Sequence, residues 1–208
     1  MKAMVIDRIL SLSDQDVPLT AVELPVPEPG GGEIRVRVCA CGVCHTELDE
    51  IEGRTAPPRL PVVPGHEVVG RVDKLGAGAG RFEIGERVGV GWIHSSSGKA
   101  DENLSPRFQA TGRDVNGGYA EYMTVPETYA YPIPGEFTDA EAAPLLCAGG
   151  VGYRSLRLAG IKDGQNLGIA AAIPLRPQVQ TYRLEEANRA LLELKRGPVR
   201  GAKVLLID

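Results

Sequence analysis

Apolar and polar residues alternate over several short stretches of the chain, which is the pattern of half-buried β-strands. The clearest stretch is residues 33–40, where every second residue is apolar and is predicted to face the core: Ile34, Val36, Val38 and Ala40. Short strands divided by regular turn signals favour a β-barrel or a β-sandwich. Further strands are predicted over residues 2–10, 19–24, 68–74, 86–91, 117–125, 166–169 and 202–207.

Apolar residues at helical spacing occur mainly near the end of the chain. Residues 184–195 predict an amphipathic helix, because one face carries four apolar side chains and Gly197 follows the last turn: Leu184, Ala187, Leu191 and Leu194. Residues 46–52, 139–143 and 148–158 predict shorter helices, and Pro144 interrupts the second of them. The pattern therefore predicts a mainly β fold with a few helices, of the α+β class.

Composition narrows the range of partners. The 208 residues include 26 glycines and 16 prolines, which agrees with many turns and not with a helical bundle. The net charge of −4 argues against binding to nucleic acid or to an anionic membrane. No apolar run approaches the roughly 18 residues that span a bilayer. Because Met1 leads directly into a predicted strand with no signal-peptide pattern, we expect a cytoplasmic protein.

The four cysteines suggest a metal site. In an intracellular protein they are free thiols or metal ligands more often than disulfides, although oxidation could join Cys41 to Cys44. Cys44 and His66 lie on glycine- and proline-rich loops, and a thiolate with an imidazole suits zinc better than magnesium or calcium. A catalytic zinc takes three protein ligands and keeps one position open. Taken singly, each residue has an ordinary alternative, a buried apolar cysteine or a structural histidine.

Several longer motifs follow one another in a characteristic order. Together they resemble the zinc-type medium-chain alcohol dehydrogenases, and the resemblance extends over nearly the whole chain. The motifs are CGVCHT at 41–46, GHEVVG at 65–70 with Gly76 and Ala79 behind it, PRFQ at 106–109, GGYAEY at 117–122, APLLCAG at 143–149 and LEEAN at 184–188.

The resemblance implies a catalytic metal site and its surroundings. Cys44, His66 and Cys147 are the expected zinc ligands. Thr46 is expected to hydrogen-bond the alcohol oxygen and begin proton relay. Glu67 is expected near the metal, either as a group outside the ligand set or as an exchangeable ligand.

Four more positions follow from the same resemblance. Glu47 is expected to orient His66 from outside the ligand set. Asp49 stands where some members carry a relay histidine, so its part in proton transfer is an expectation from position alone. His45 is expected to contact the cofactor phosphate. Trp92 is expected to line the substrate pocket, with core packing as the alternative.

Two parts of the family pattern are missing. The nucleotide-binding Gly-x-Gly-x-x-Gly does not follow the strand predicted at 166–169, and the glycines at 76–80 have the wrong spacing and no helix behind them. We therefore expect residues 1–169 and 173–208 to form a single GroES-like catalytic domain, a partly open β-barrel with no Rossmann domain. Residues 170–172 are then an alanine junction that replaces the dinucleotide-binding domain.

The second missing part is a cysteine-rich lobe. Residues 97–105 contain no cysteine, and Ser105 stands where family members carry the last cysteine of a structural zinc site. One zinc per chain is therefore expected. Two deletions with preserved flanks indicate a truncated, engineered protein, with a natural short relative as the alternative.

The reaction implied by the resemblance is oxidation of a small alcohol to an aldehyde or ketone, with hydride transfer to NAD. Without the nucleotide domain we expect weak NAD-dependent activity or none. Two other functions stay open: a non-catalytic GroES-like structural module and a weak zinc hydrolase. Because family oligomers often assemble through the nucleotide domain, we expect a monomer, with self-association through the uncovered face as the alternative.

Overall fold

The computed structural model describes residues 1–13, 16–160, 178–198 and 201–207. Within these ranges the strands are β1 Lys2–Val5, β2 Thr20–Glu23, β3 Glu33–Val43, β4 Val68–Leu75, β5 Arg87–Val90, β6 Ile93–Ser95, β7 Gln109–Ala110, β8 Tyr122–Pro126, β9 Ala130–Pro132, β10 Val179–Arg183 and β11 Ala202–Leu206. The α-helices are α1 His45–Ile51, α2 Asp139–Ala142, α3 Ala148–Ala159 and α4 Ala187–Arg196. Short 3-10 turns occupy Glu102–Leu104, Glu127–Tyr129, Ala143–Leu146 and Leu184–Glu186.

Seven strands form one sheet in the order β10-β11-β3-β4-β5-β9, with β8 also paired to β3. β10 and β11 run parallel, and the other pairs are antiparallel. The predicted mainly β class with a few helices is confirmed. The sheet is open and not closed into a barrel, because no pairing joins its outer strands β9 and β10 in the part of the chain described.

Strand β3 organises the sheet. Its first half pairs with β8 and its second half with β11, while β4 lies along its other side. The alternation seen in the sequence is confirmed, since the four inward residues are at most 1% exposed: Ile34, Val36, Val38 and Ala40. Pairing of residues 40–43 with β11 extends the strand to Val43, beyond the predicted end. The strand therefore delivers Cys44 directly to the start of α1.

Two predicted strands are shorter than expected. β1 ends at Val5 because β2 offers it four partners, after which Ile6 bridges Val62 in another segment. The segment 117–125 becomes a strand only at Tyr122. Its first residues instead hydrogen-bond to the backbone of residues 63–65.

The helix predicted near the end of the chain is confirmed as a 3-10 turn continued by α4. Its apolar face is buried, as Ala187, Leu191 and Leu194 show. The Asn188 side chain accepts a 2.7 Å hydrogen bond from the Leu19 amide and donates one of 3.0 Å to the Leu19 carbonyl. The helix thereby ties the C-terminal segment to the start of the chain.

Helix α3 confirms the prediction at 148–158 but lies on the surface. None of its residues is buried, and three large apolar side chains are exposed on it: Val151, Tyr153 and Leu158. The strand predicted at 166–169 and the alanine junction at 170–172 lie outside the described residues. Among the residues described, no helix is long and apolar enough to cross a membrane.

Candidate metal centre

Three segments far apart in sequence bring one group of potential ligands together. Cys44 lies between β3 and α1, His66 and Glu67 lie just before β4, and Cys147 lies between the turn Ala143–Leu146 and α3. One ligand atom from each of the four residues lies within 4.8 Å of the others. The structure therefore groups the three predicted zinc ligands with the predicted neighbour Glu67.

One carboxylate positions two of these residues. Glu47 Oε1 lies 2.7 Å from His66 Nδ1, and Glu47 Oε2 accepts a 2.7 Å hydrogen bond from the backbone N–H of Cys44. Both Glu47 and His66 are fully buried. The remaining ring nitrogen, His66 Nε2, is buried and makes no hydrogen bond. A buried polar atom without a partner destabilises a fold, and a bond to a metal removes that cost.

The thiols of Cys44 and Cys147 shift each other's pKa in opposite directions. A hydrogen bond from the Cys147 thiol lowers the pKa of Cys44 to about 3 against the opposing effect of burial, while the same contact raises the pKa of Cys147. Burial raises the pKa of the nearby Glu67 carboxyl to about 8. A thiolate, a second thiol and an imidazole form a donor set that suits zinc. The residues present therefore fit one zinc ion.

Two glycines make room for the site. A Cβ at Gly42 would lie 1.7 Å from Glu67 Oε2, so the glycine leaves space for this carboxyl. Gly65, just before His66, has a φ of +98°, which favours glycine. A Cβ there would lie 2.4 Å from the Tyr119 ring. The close backbone packing around His66 thus depends on these two positions.

The other predicted site residues are not part of the ligand group, and they differ in how near they lie to it. Thr46 is close, with Oγ1 3.6 Å from Cys44 Sγ. His45 is exposed at the start of α1. Asp49 accepts a 2.6 Å hydrogen bond from Arg54 Nε in an exposed ion pair. Neither residue is part of the grouped ligands.

Trp92 contacts another aromatic residue. Its ring packs on Phe108 with centroids 4.9 Å apart, and 37% of the residue is exposed. The indole is therefore partly accessible, which agrees with the predicted role in a substrate pocket. Its contact with Phe108 agrees with the alternative role, core packing.

One buried acid near the site was not singled out from the sequence. Glu50 is 1% exposed, and neither of its carboxyl oxygens has a hydrogen-bond partner. Burial, with the charge of Glu47 as the next cause, raises its pKa to about 9, so this carboxyl is neutral at pH 7. The available signal was its position three residues after Glu47, which places both acids on one face of α1.

Comparison with known proteins agrees with this geometry. Residues 30–135 match the model of the alcohol dehydrogenase GroES-like domain. The chain belongs to this family. The matched range contains β3, α1 and the loop of His66 and Glu67, so the domain includes three of the four grouped ligands.

Several relatives of this chain are named as alcohol dehydrogenases. The domain is 44% identical over 163 residues to a probable alcohol dehydrogenase of Mycobacterium tuberculosis, a match covering 73% of this chain and 47% of the relative. It is 39% identical over 172 residues to an alcohol dehydrogenase of Geobacillus stearothermophilus, covering 79% and 49%. A solved NAD-dependent alcohol dehydrogenase superposes with a TM-score of 0.70 at 27% identity, covering 93% of this chain and 55% of that one. The alcohol dehydrogenase domain thus spans about half the length of the curated relatives it matches.

Replacing Glu47 by glutamine should weaken zinc binding without removing a ligand. Glu47 uses one oxygen for His66 and the other for the Cys44 amide, whereas glutamine has an NH2 group in place of one oxygen, so one of the two contacts is lost. Loss of such an outer partner costs roughly 10–100-fold in metal affinity. Competition with a fluorescent zinc chelator measures the change. Glu83→Gln, at an exposed position, is the matched control, and equal affinities for the two variants would contradict this role of Glu47.

Proposed function

We propose that this alcohol dehydrogenase domain binds one zinc ion through Cys44, His66 and Cys147 and carries the alcohol-binding half of an NAD-dependent oxidoreductase. One observation carries the proposal. Four potential ligand atoms lie within 4.8 Å of one another, and in this group the buried His66 Nε2 has no hydrogen-bond partner. The names of the relatives support the reaction class.

When bound, zinc supplies a Lewis acid that polarises the oxygen of an alcohol or carbonyl. The chain's own residues have separate parts in the proposal. The Thr46 hydroxyl, beside Cys44, accepts the hydrogen bond of the substrate hydroxyl and passes its proton on. Glu47 fixes His66. Glu67 places a carboxyl group next to the ligands.

The hydride acceptor has to be a cofactor, because no amino-acid side chain accepts a hydride, and in this proposal it is a nicotinamide. One solved structure that the domain resembles is titled an NAD-dependent alcohol dehydrogenase. In this proposal His45 contacts the cofactor phosphate and Trp92 lines the pocket for a small alcohol or carbonyl compound. Since the sequence lacks the dinucleotide-binding glycine pattern, NAD binds weakly and the turnover of this chain is low or absent.

The proton path beyond Thr46 lacks the relay histidine that some family members carry. Asp49, at the relay position, is held by Arg54 in an exposed ion pair. We propose that Thr46 delivers its proton to solvent and that Asp49 contributes little.

A cobalt-substituted protein tests this function without requiring turnover. Cobalt(II) bound by thiolates gives visible absorption, and a small alcohol entering the site should shift it. Thr46→Ala should weaken the alcohol-induced shift, whereas Thr46→Ser should preserve it, since only the serine keeps a hydroxyl at this position. An alcohol that leaves the spectrum unchanged at saturating concentration would argue against an alcohol site.

Steady-state assays separate the remaining functions. Alcohol oxidation is followed by NADH absorbance and ester hydrolysis in the absence of NAD, each with and without a zinc chelator. We expect slow zinc-dependent oxidation, or none, and no hydrolysis. Saturable binding of NAD at micromolar concentration would refute the loss of cofactor affinity, and zinc-dependent hydrolysis would favour the hydrolase.

A further inference from the structure

A cleft of about 410 Å³ outside the ligand group is rich in arginine. It lies between the loop that follows α1 and the segment 106–114. The residues that matter for its chemistry are Arg59, Arg107, Phe108, Arg113 and Asp114.

The charge of the cleft is not balanced. Arg113 forms a two-pronged pair with Asp114, at 3.1 Å and 2.9 Å. Within the described residues, Arg59 and Arg107 make no ion pair and no side-chain hydrogen bond. The cleft is thus lined by three arginines and one carboxylate, in a protein whose net charge is −4.

Asp114 is fully engaged elsewhere. Besides Arg113, its carboxylate accepts a 2.7 Å hydrogen bond from the Ala110 amide, which holds the loop together. It therefore does not neutralise Arg59 or Arg107. Guanidinium groups that line one cleft repel each other, and an anion between them removes the repulsion and fills their donor positions.

We propose that this arginine cleft binds the carboxylate or phosphate group of a small molecule. The planar donor pairs of Arg59 and Arg107 match the two oxygens that both groups present. Pro58, Pro106 and Phe108 line the cleft beside the arginines, so its lining combines apolar side chains with charged ones. The proposal does not depend on zinc or on the alcohol dehydrogenase reaction.

The loop that forms one side of the cleft packs against the segment that carries His66. A Cβ at Gly112, next to Arg113, would lie 2.7 Å from the Gly65 amide nitrogen. The charge of Arg113 also acts on Glu50 and lowers the pKa of that carboxyl against the larger effect of burial. An anion in the cleft would therefore lie on a wall shared with the metal centre.

The protein carries its own reporter for this site. Trp92 is the single tryptophan of the sequence, and it packs on Phe108, which lines the cleft. We would titrate inorganic phosphate and malonate separately into the protein at constant ionic strength, with chloride as the ion control, and follow tryptophan emission. We expect a saturable change for at least one of the two anions and none for chloride.

Variants assign the response to the cleft. Arg59→Ala and Arg107→Ala should each weaken binding at least tenfold, and the double variant should abolish it. Arg154→Ala, an exposed arginine on α3, should bind as the parent does. Because all three positions are exposed, the thermal midpoint should stay unchanged, which separates lost binding from lost folding.

Isothermal titration calorimetry provides a second readout that does not involve Trp92. Tighter binding of phosphate would assign the site to phosphorylated compounds, and tighter binding of malonate to carboxylic acids. An emission change that chloride reproduces, a titration that does not saturate, or undiminished binding by the double variant would each overturn the proposal.

Discussion

Cys44→Ala should leave the protein with less than about a tenth of its bound zinc under conditions where the parent holds one ion per chain. The change removes the thiolate from the ligand group, whereas loss of an outer partner alone costs roughly 10–100-fold in affinity. The low pKa of this thiol means that the parent offers the metal a ready anion at pH 7. Elemental analysis after dialysis against zinc-buffered solution measures the content.

The chain offers a matched control for this experiment. Cys39→Ala also removes a half-exposed cysteine, but Cys39 lies within β3 and outside the ligand group, so it should retain one zinc. Full occupancy in Cys44→Ala would refute the assignment. Two zinc ions in the parent would contradict the absence of the cysteine-rich lobe, and a parent without zinc would favour the structural module.

Gly65→Ala should lower the free energy of unfolding by about 2–5 kcal/mol. Positive φ costs a residue with a Cβ roughly 1–2 kcal/mol, and overpacking adds about 1–3 kcal/mol. The second contribution arises because the new methyl group would lie 2.4 Å from the Tyr119 ring and 2.9 Å from Cys41 Sγ, both fully buried. Urea denaturation with a linear extrapolation measures the change.

Gly85 separates the two contributions. It has a similar φ of +89°, but a Cβ there would have no atom within 4 Å. Gly85→Ala should therefore lose only about 1–2 kcal/mol. Equal losses for the two variants would show that Tyr119 and Cys41 move aside freely, against the packing described around His66.

Local patterns in the sequence predicted the centre of the fold well. The alternation in β3 identified its buried face, because a strand with one face in the core needs an apolar residue at every second position. Pro144 marked the end of α2 because it cannot continue the hydrogen-bond ladder. Both rules act within a few residues. The strand prediction failed at 117–121. There the backbone amides of residues 117–119 donate to the carbonyl groups of residues 63–65, a distant loop, and not to a neighbouring strand.

The site depended on longer-range information. Residue chemistry and the glycine- and proline-rich loops suggested Cys44 and His66, but the family resemblance was needed to assign Cys147 as the third ligand. No local rule joins a residue after the turn Ala143–Leu146 to one after β3. The ion pair of Asp49 with Arg54, the buried Glu50 and the unpaired arginines of the cleft depend on how side chains meet in three dimensions. Such contacts leave no periodic pattern in the sequence.

The position of β11 beside the end of β3 has a consequence for biosynthesis. Lys203 pairs with Val43, the residue before Cys44, across about 160 residues of chain. At a translation rate of roughly 5–20 residues per second, the ribosome releases Cys44 on the order of 10–30 s before it makes the strand that pairs beside it. During that interval the nascent chain carries Cys44 without the strand that later pairs beside it.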